Sequence, residues 1–269
     1  MAISDLSLNA ISKAKEIPQL GVHMSGSETQ RKMKFPTEFF GSLINEDLPQ
    51  GSNISLTGSP GVGKTIFCEN LANRFLNNGL NCLYVTLDKS PNDVRLDFQK
   101  LGTNLSEKEN KKRLVFVDGF SWLTGESQEE YHIENLGNLT DLSIRIASAA
   151  CDLSGPILLI FDSVSPLTVY NPEIVVIKFL QIVLARIKDW KGTGVYVVQE
   201  GVHSEEFCNT LAYLVDGIFD MKLSEKNGEI NRFFRIRSLK SMAHETKWIP
   251  FVIQADRSFK LKHRQGNQK

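Results

Sequence analysis

The chain has 269 residues, and its 31 basic and 31 acidic side chains cancel. A neutral chain has no overall basic field of the kind that drives non-specific binding to nucleic acid, although it leaves room for a local basic patch. The length suits one large α/β domain with short extensions and leaves too few residues for a second full domain.

No apolar run is long enough to cross a bilayer, and the first residues carry no signal-peptide pattern. The four cysteines, Cys68, Cys82, Cys151 and Cys208, stand in apolar contexts and form no Cys-x-x-Cys pair. We therefore expect a soluble cytoplasmic protein whose cysteines are reduced, buried thiols.

The chain divides into an arm, one domain and a tail. Residues 1–34 are rich in Ser, Lys and Asn, and we expect them to form a flexible N-terminal arm. From residue 35 to residue 256, apolar strands alternate with amphipathic helices, which predicts an α/β domain with a mostly parallel sheet and helices on both faces. The predicted strands are 54–57, 82–87, 114–117, 157–161 and 194–198. The predicted helices are 64–77, 91–101, 139–151 and 173–190.

The pattern changes after residue 198. Two short apolar runs, 217–223 and 232–239, flank an Asn-Gly pair, which is the strongest short signal for a hairpin. A further strand at 248–253 contains Pro250, which places it near an edge of the sheet. We therefore expect the domain to end in antiparallel strands, followed by a polar basic tail at 257–269.

A glycine-rich segment follows the first predicted strand and opens the first predicted helix. It matches G-x-x-x-x-G-K-[ST], the pattern of a phosphate-binding loop, whose backbone N–H groups point at phosphate oxygens. The predicted nucleotide-binding residues of this segment are Gly58, Ser59, Pro60, Gly61, Val62, Gly63, Lys64, Thr65 and Ile66. Lys64 would reach the β- and γ-phosphates, and Thr65 would place its hydroxyl on Mg²⁺.

A phosphate-binding loop needs an acidic partner for Mg²⁺ at the end of a neighbouring strand. Two aspartates qualify, since Asp162 ends the apolar run 157–161 and Asp118 ends the run 114–117. We favour Asp162, because its strand is the longer apolar run and leaves room for an intervening strand. The alternative role for either residue is to begin a turn.

Further polar side chains follow other predicted strands. Asp88 follows the second strand, where it could orient and deprotonate an attacking water or cap the next helix. Gln199 ends the fifth strand and carries an amide that could sense a γ-phosphate. The next residues with polar side chains, Glu200, His203, Glu205 and Glu206, lack metal-ligand spacing and predict a solvated loop.

Taken together, these segments resemble the RecA-superfamily ATPases, and in particular their KaiC-like branch. The resemblance covers about residues 35 to 253 and rests on the phosphate-binding loop, the stretches 48–52, 84–94, 158–165 and 214–218, and His244 ahead of Pro250. It implies a RecA-like core that binds ATP with Mg²⁺, often between the subunits of a ring. The expected preference for adenine also comes from this resemblance.

The first departure from the family pattern follows the second strand. KaiC-like enzymes carry a pair of catalytic glutamates there, whereas this chain has Asp88 and Lys89. A protonated lysine cannot act as a base. We expect Lys89 to pair with a phosphate or with Asp88 instead.

The second departure lies in the stretch that reads Lys-x-Arg-x-x-x-His in the family and reaches the neighbouring subunit's nucleotide. When we count back from His244, Lys240 holds the arginine position and Ser238 holds the lysine position. Arg237 lies one residue away and could compensate. The resemblance thus implies that Lys240 and His244 contact nucleotide, with weaker phosphate clamping than an arginine provides.

These features predict a protein that binds ATP·Mg²⁺, hydrolyses it slowly or not at all, and uses ATP or ADP to set its conformation or assembly. The assembly would be a homo-oligomeric ring or dimer, or a complex with a related ATPase. Any hydrolysis would make the chain a weak ATPase, with Asp88 as base and Lys64 at the phosphates.

Two alternatives stay open. One is a DNA-repair accessory protein of the recombinase-paralogue type, which would bind single-stranded DNA or a recombinase with the help of the basic tail. The other is a nucleotide-binding subunit of a larger motor-like assembly, as in the archaellum motor, docked through the N-terminal arm.

Overall fold

A computed structural model describes residues 43–44, 48–125, 127–240 and 242–262. The predicted N-terminal arm, 1–34, and the last part of the predicted tail, 263–269, lie outside the described residues. None of the helices in the described ranges combines the length and the apolar character that crossing a membrane requires.

The strands and helices alternate through most of the domain. The strands are β1 (Asn53–Gly58), β2 (Asn81–Thr86), β3 (Leu114–Asp118), β4 (Ile157–Asp162), β5 (Thr193–Gln199), β6 (Gly217–Lys226), β7 (Glu229–Leu239), β8 (Ile249–Ile253) and β9 (Phe259–Leu261). The helices are α1 (Lys64–Asn77), α2 (Pro91–Lys100), α3 (Ser106–Asn110), α4 (Leu139–Cys151), α5 (Leu167–Tyr170), α6 (Glu173–Asp189) and α7 (Glu205–Leu214), with a 3-10 turn at Ser121–Leu123.

All nine of these strands form one sheet in the order β3-β2-β4-β5-β1-β6-β7-β8-β9. The first six in this order pair in parallel, and β6 to β9 pair antiparallel. The predicted fold class, a mostly parallel α/β sheet with C-terminal antiparallel strands, is therefore confirmed. Because the parallel strands point the same way, their carboxyl ends meet along one edge of the sheet.

Helices cover both faces of the parallel part. On one face, α1 buries Phe67, Leu71 and Phe75 completely, as the three-to-four spacing of these residues predicts. On the other face, α4 and α6 bury residues such as Ile146 and Leu180. The strands between the two helix layers carry apolar side chains on both faces, as is usual for a parallel sheet with helices on both sides.

Three details differ from the sequence-based expectations. The segment predicted as a tail contains β9, because Phe259 is only 3% exposed and packs edge-on against Phe67. The segment predicted as a solvated loop ends early, because α7 begins at Glu205 with the Ser204 hydroxyl as its cap. The thiols of Cys68 and Cys82 are buried as expected, but Cys151, the last residue of α4, and Cys208, in the first half of α7, are exposed.

Candidate nucleotide-binding site

The glycine-rich loop joins β1 to α1 at the carboxyl edge of the sheet. Gly63 has a φ of 110°, a conformation that other residues rarely adopt, and a Cβ there would lie 2.6 Å from the Ile253 side chain. A Cβ on Gly58 would lie 2.6 Å from the Met221 carbonyl oxygen. The loop conformation and its close packing therefore both depend on glycine at these two positions.

Lys64 begins α1 and bends back over the loop. Its Nζ donates to the carbonyl oxygens of Gly58 at 2.7 Å and Ser59 at 3.0 Å, and the residue is 7% exposed. Burial lowers the pKa of this ammonium, against the opposing effects of Asp162 and Asp88. The arrangement holds one positive charge at the start of the helix, where an anion is also favoured by the free backbone N–H groups.

Thr65 and Asp162 meet beside this lysine. The Thr65 hydroxyl donates to Asp162 Oδ1 at 3.3 Å, and the Tyr84 hydroxyl donates to Oδ2 at 3.2 Å. Burial, followed by the charge of Asp88, raises the pKa of the Asp162 carboxyl to about 6. A hydroxyl and a carboxylate are hard oxygen donors, so this pair fits Mg²⁺, and a bound cation would stabilise the ionised carboxylate.

The alternative magnesium ligand, Asp118, is already engaged. Its Oδ1 accepts from the backbone N–H groups of Phe120 at 2.9 Å and Ser121 at 3.0 Å. Its Oδ2 accepts from the Ser127 hydroxyl at 2.6 Å. Asp118 therefore stabilises the turn after β3, which was its alternative role, and the geometry favours Asp162 as the metal ligand.

Asp88 lies at the end of β2 on the exposed side of the site. Its negative charge favours the protonated form of Lys64 and contributes to the raised pKa of Asp162. The helix that follows is capped by Ser90, whose hydroxyl accepts from the Asp93 N–H at 3.2 Å. The alternative role of Asp88 as a helix cap is therefore excluded, and its carboxylate is free to face a nucleotide.

Lys89 does not pair with Asp88, contrary to one of the two expectations for this residue. Its Nζ contacts Glu69 Oε1 at 2.5 Å and Asp97 Oδ2 at 2.8 Å. Arg257, from the turn between β8 and β9, contacts the same two carboxylates at 2.7 and 3.1 Å. The Glu69 side chain is fully buried, and a buried carboxylate requires nearby cations. Lys100 also contacts Asp97, at 2.9 Å. Lys89 is therefore committed to an ion cluster of five residues and is not available as a phosphate ligand.

One feature of the sequence predicts part of this cluster and was overlooked. Glu69 stands four residues after Thr65 in α1, so both residues lie on the same face of the helix. Because this face of α1 points toward the candidate site, a charged residue on it is buried there and needs a counter-ion. Arg257 could not be found in the same way, because it comes from a segment that was predicted to be a tail.

Gln199 lies opposite Gly58 in the register of β5 and β1. Its backbone N–H donates to the Ser165 hydroxyl at 2.9 Å, and its side-chain Nε2 is buried without a hydrogen-bond partner among the described residues. The nearby His203 was predicted to be solvated, but its side chain is fully buried. It contacts Ser165, because the loop after β5 turns inward to begin α7.

Lys240 and His244 follow β7 in the sequence. The last residue of β7, Leu239, pairs with the first residue of β6, so β7 ends at the amino ends of the parallel strands, whereas Gly58 lies at their carboxyl ends. Lys240 Nζ donates to the Tyr213 carbonyl at 2.9 Å. Arg237, which was expected to compensate for a missing arginine, is bound to Asp220 through both carboxylate oxygens. Lys240 therefore lies at the end of the strands away from the glycine-rich loop of its own chain. Arg237 lies nearer to the loop, because its partner Asp220 pairs with Thr57 of β1.

In the described part of the chain, no group of three or more His, Cys, Asp or Glu side chains is arranged to hold a metal ion. The Thr65 and Asp162 pair is a different kind of site, because Mg²⁺ bound to a nucleotide takes most of its ligands from phosphate and water.

Comparisons with known proteins agree with this geometry. The family model described as "ATPase: KaiC" matches residues 35–263. A UPF0273 protein of Methanopyrus kandleri is 29% identical over 78% of this chain and 84% of its own, and one of Pyrococcus horikoshii is 28% identical over 83% and 91%. The crystal structure of a KaiC-like protein from Pyrococcus horikoshii superposes with a TM-score of 0.64 at 20% identity, covering 83% of this chain and 95% of that one.

The fold and the loop define a P-loop nucleotide-binding protein of the RecA type. The chain belongs to the KaiC family of ATPases, as the family match over most of its length shows. The resemblance drawn from the sequence is thereby confirmed.

We predict that nucleotide binding in the presence of Mg²⁺ weakens below about pH 6. The pKa of the Asp162 carboxyl is raised to about 6, and a carboxyl must be ionised to bind a cation. The Mg²⁺-dependent part of the affinity should fall up to about tenfold per pH unit below that value. Titration with a fluorescent ATP analogue at several pH values, with and without Mg²⁺, measures this effect.

Asp162→Asn should remove both the Mg²⁺ dependence and the pH dependence, whereas the matched control Asp118→Asn should keep both. A wild-type affinity that does not change with pH would contradict the assignment.

The stability of the ligand-free protein should depend on pH in the opposite direction to the nucleotide affinity. Because the pKa is raised, the contribution of Asp162 is present below its ordinary pKa of 3.8 and is lost as the pH rises through about 6.

We also predict that Lys89→Met destabilises the fold by about 1–3 kcal/mol, because it removes one of the two cations that contact the buried Glu69 carboxylate. Urea denaturation measures the change. Lys111→Met is the matched control, since the Lys111–Glu107 pair is exposed to solvent and its loss should change the stability little. Equal losses in the two variants would show that the ion cluster has no particular importance for stability.

Proposed function

We propose that this KaiC-family protein binds ATP·Mg²⁺, hydrolyses it slowly or not at all, and uses its nucleotide state as a regulatory or assembly switch. One observation carries the proposal. Lys64, Thr65 and Asp162, which we propose to hold the phosphates and Mg²⁺, lie together beside the glycine-rich loop, whereas Lys89, at the position of a second catalytic carboxylate, is held in an ion cluster.

The binding half of the proposal follows from the loop. Backbone N–H groups at the start of α1 and the Lys64 ammonium would hold the phosphates. Thr65 and Asp162 would hold Mg²⁺, which neutralises charge on the β- and γ-phosphates when it is bound. Gln199, whose side-chain Nε2 is buried without a hydrogen-bond partner in the part of the chain that the structure describes, would face the γ-phosphate from the neighbouring strand end.

The proposed slow hydrolysis of ATP follows from the properties of Asp88. It is the carboxylate that remains after β2 to accept a proton from an attacking water. An aspartate is shorter than a glutamate by one methylene, so a water would have to lie closer to the backbone to reach it. Loss of one well-placed water-orienting group slows such reactions by orders of magnitude.

An oligomer is the natural setting for such a switch. Lys240 follows the end of β7 that lies away from the loop, and His244 comes four residues later, as a role toward the neighbouring subunit's nucleotide would require. We propose a ring or dimer of this chain, or a complex with a related ATPase, in the cytoplasm.

The proposal predicts which nucleotide stays bound. Purified protein is incubated with excess ATP and Mg²⁺, stripped of free nucleotide, and analysed for bound nucleotide and released phosphate. We expect ATP to be retained for hours in wild-type protein and no nucleotide to be retained in Lys64→Ala. Retained ADP with stoichiometric phosphate would replace the switch with an active ATPase, and an empty wild-type protein would contradict nucleotide binding.

Asp88→Asn distinguishes the source of any residual hydrolysis. If Asp88 is the base, this variant should retain ATP with wild-type affinity and lose about a hundredfold or more of the remaining rate. An unchanged rate would assign hydrolysis to another group.

Single-stranded nucleic acid is a second candidate ligand, and one surface favours it. On β6 to β8, Lys222 Nζ and the Arg235 guanidinium lie 4.2 and 4.4 Å from the centre of the Trp248 ring. Cations interleaved with aromatic rings are typical of surfaces that bind single strands. Such binding should weaken steeply with salt, which fluorescence anisotropy of a labelled oligonucleotide measures. Binding that is absent at low salt would exclude this candidate.

A further inference from the structure

His203 lies in the loop between β5 and α7, with its side chain fully enclosed. Its ring stacks on Phe207 with 4.5 Å between the ring centres. Its Nε2 lies 2.8 Å from the Ser165 hydroxyl, and its Nδ1 lies 3.6 Å from Glu173 Oε1. The stacking on Phe207 and the contact with Ser165 hold the ring in one orientation. Its buried Nδ1 faces the Glu173 carboxylate at a distance too long for a hydrogen bond.

Ser165 connects this histidine to the candidate nucleotide site. Its hydroxyl oxygen accepts from the Gln199 backbone N–H at 2.9 Å, at the point where β5 ends beside the glycine-rich loop. The Gln199 side-chain Nε2 is buried and has no hydrogen-bond partner in the described ranges. An unsatisfied buried amide is costly, and a phosphate oxygen at this edge would satisfy it.

The other end of the chain of contacts reaches two helices. Glu173, the first residue of α6, accepts hydrogen bonds from the backbone N–H and the hydroxyl of Ser204. Ser204 in turn caps α7 by accepting from the Phe207 N–H at 3.1 Å. A continuous series of polar contacts therefore runs from Gln199 through Ser165 and His203 to the N-termini of α6 and α7.

A serine, a histidine and a glutamate in this order also make up a hydrolytic triad, but the geometry does not suit one. Ser165 is 9% exposed and its oxygen already accepts a backbone N–H, while His203 is closed off from solvent. A substrate carbonyl would have no approach to the hydroxyl. The contacts are suited to holding a strand end in place.

We propose that His203 is a positioning residue that, through Ser165, holds Gln199 against the γ-phosphate and so makes the protein discriminate ATP from ADP. The inference rests on the proposed binding of ATP. ADP lacks the phosphate that Gln199 would contact, so the Ser165 and His203 contacts should matter for ATP and have little effect on ADP.

The test measures the dissociation constants of ATP and ADP for wild-type protein, His203→Phe and Ser165→Ala. Phenylalanine keeps the ring that stacks on Phe207 but removes both polar contacts. We expect each variant to bind ATP roughly tenfold more weakly, the usual effect of one hydrogen bond to a charged group, and to bind ADP within about twofold of wild type. The double variant should lose no more than either single one, because both break the same chain of contacts.

Two further variants separate positioning from general damage to the loop. Ser165→Thr keeps the hydroxyl and should retain wild-type discrimination. Glu206→Gln changes an exposed carboxylate in the first turn of α7 and should leave both dissociation constants unchanged. Equal weakening of ATP and ADP in His203→Phe, or no change in either, would overturn the positioning role while leaving the proposed function intact. Wild-type protein that binds neither nucleotide would overturn both.

Discussion

The parallel pairing of the central strands is the constraint on which the candidate site depends. Pairing sets Gly58 beside Gln199 and Thr86 beside Asp162, so the ends of four strands arrive at one edge in fixed register. No side-chain interaction has to bring these residues together, since the backbone ladder does so. The polar contacts then adjust their orientation, as when Tyr84 and Thr65 share the two oxygens of the Asp162 carboxylate.

The distribution of charged side chains divides the candidate site into two zones, one at the glycine-rich loop and one behind it. Toward the loop, Lys64 stands among carboxylates that are incompletely neutralised, which suits a zone that receives a metal ion and an anion. Behind it, Glu69 and Asp97 are each contacted by both Lys89 and Arg257. The carboxylates of this second zone, Glu69 and Asp97, are therefore balanced by cations without a ligand. For this reason Lys89 can follow β2 without disturbing the groups that face the phosphates.

Features that are encoded in short stretches of the sequence could be predicted, whereas features that depend on contacts between distant residues could not. The glycine-rich loop, the helix through Phe67 and the buried strand before Asp162 are encoded in short contiguous patterns, and each was predicted. The order of the strands was not, since it depends on contacts distant in sequence. β9 escaped prediction because it is three residues long and Phe259 is its one fully packed side chain. His203 was misassigned because the inward turn that buries it depends on Glu173 and Ser165, which precede it by 30 and 38 residues.

The turn between β8 and β9 ties the end of the domain to the helix that begins the nucleotide loop. Arg257 contacts Glu69, its carbonyl oxygen accepts from the Asn70 amide, and the Phe259 N–H donates to the same amide group. During synthesis, α1 emerges from the ribosome nearly two hundred residues before this turn does. The helix thus carries a buried charge that is only half compensated until the β8–β9 turn has been made, so the packing behind the nucleotide loop can be completed only after that turn is synthesised.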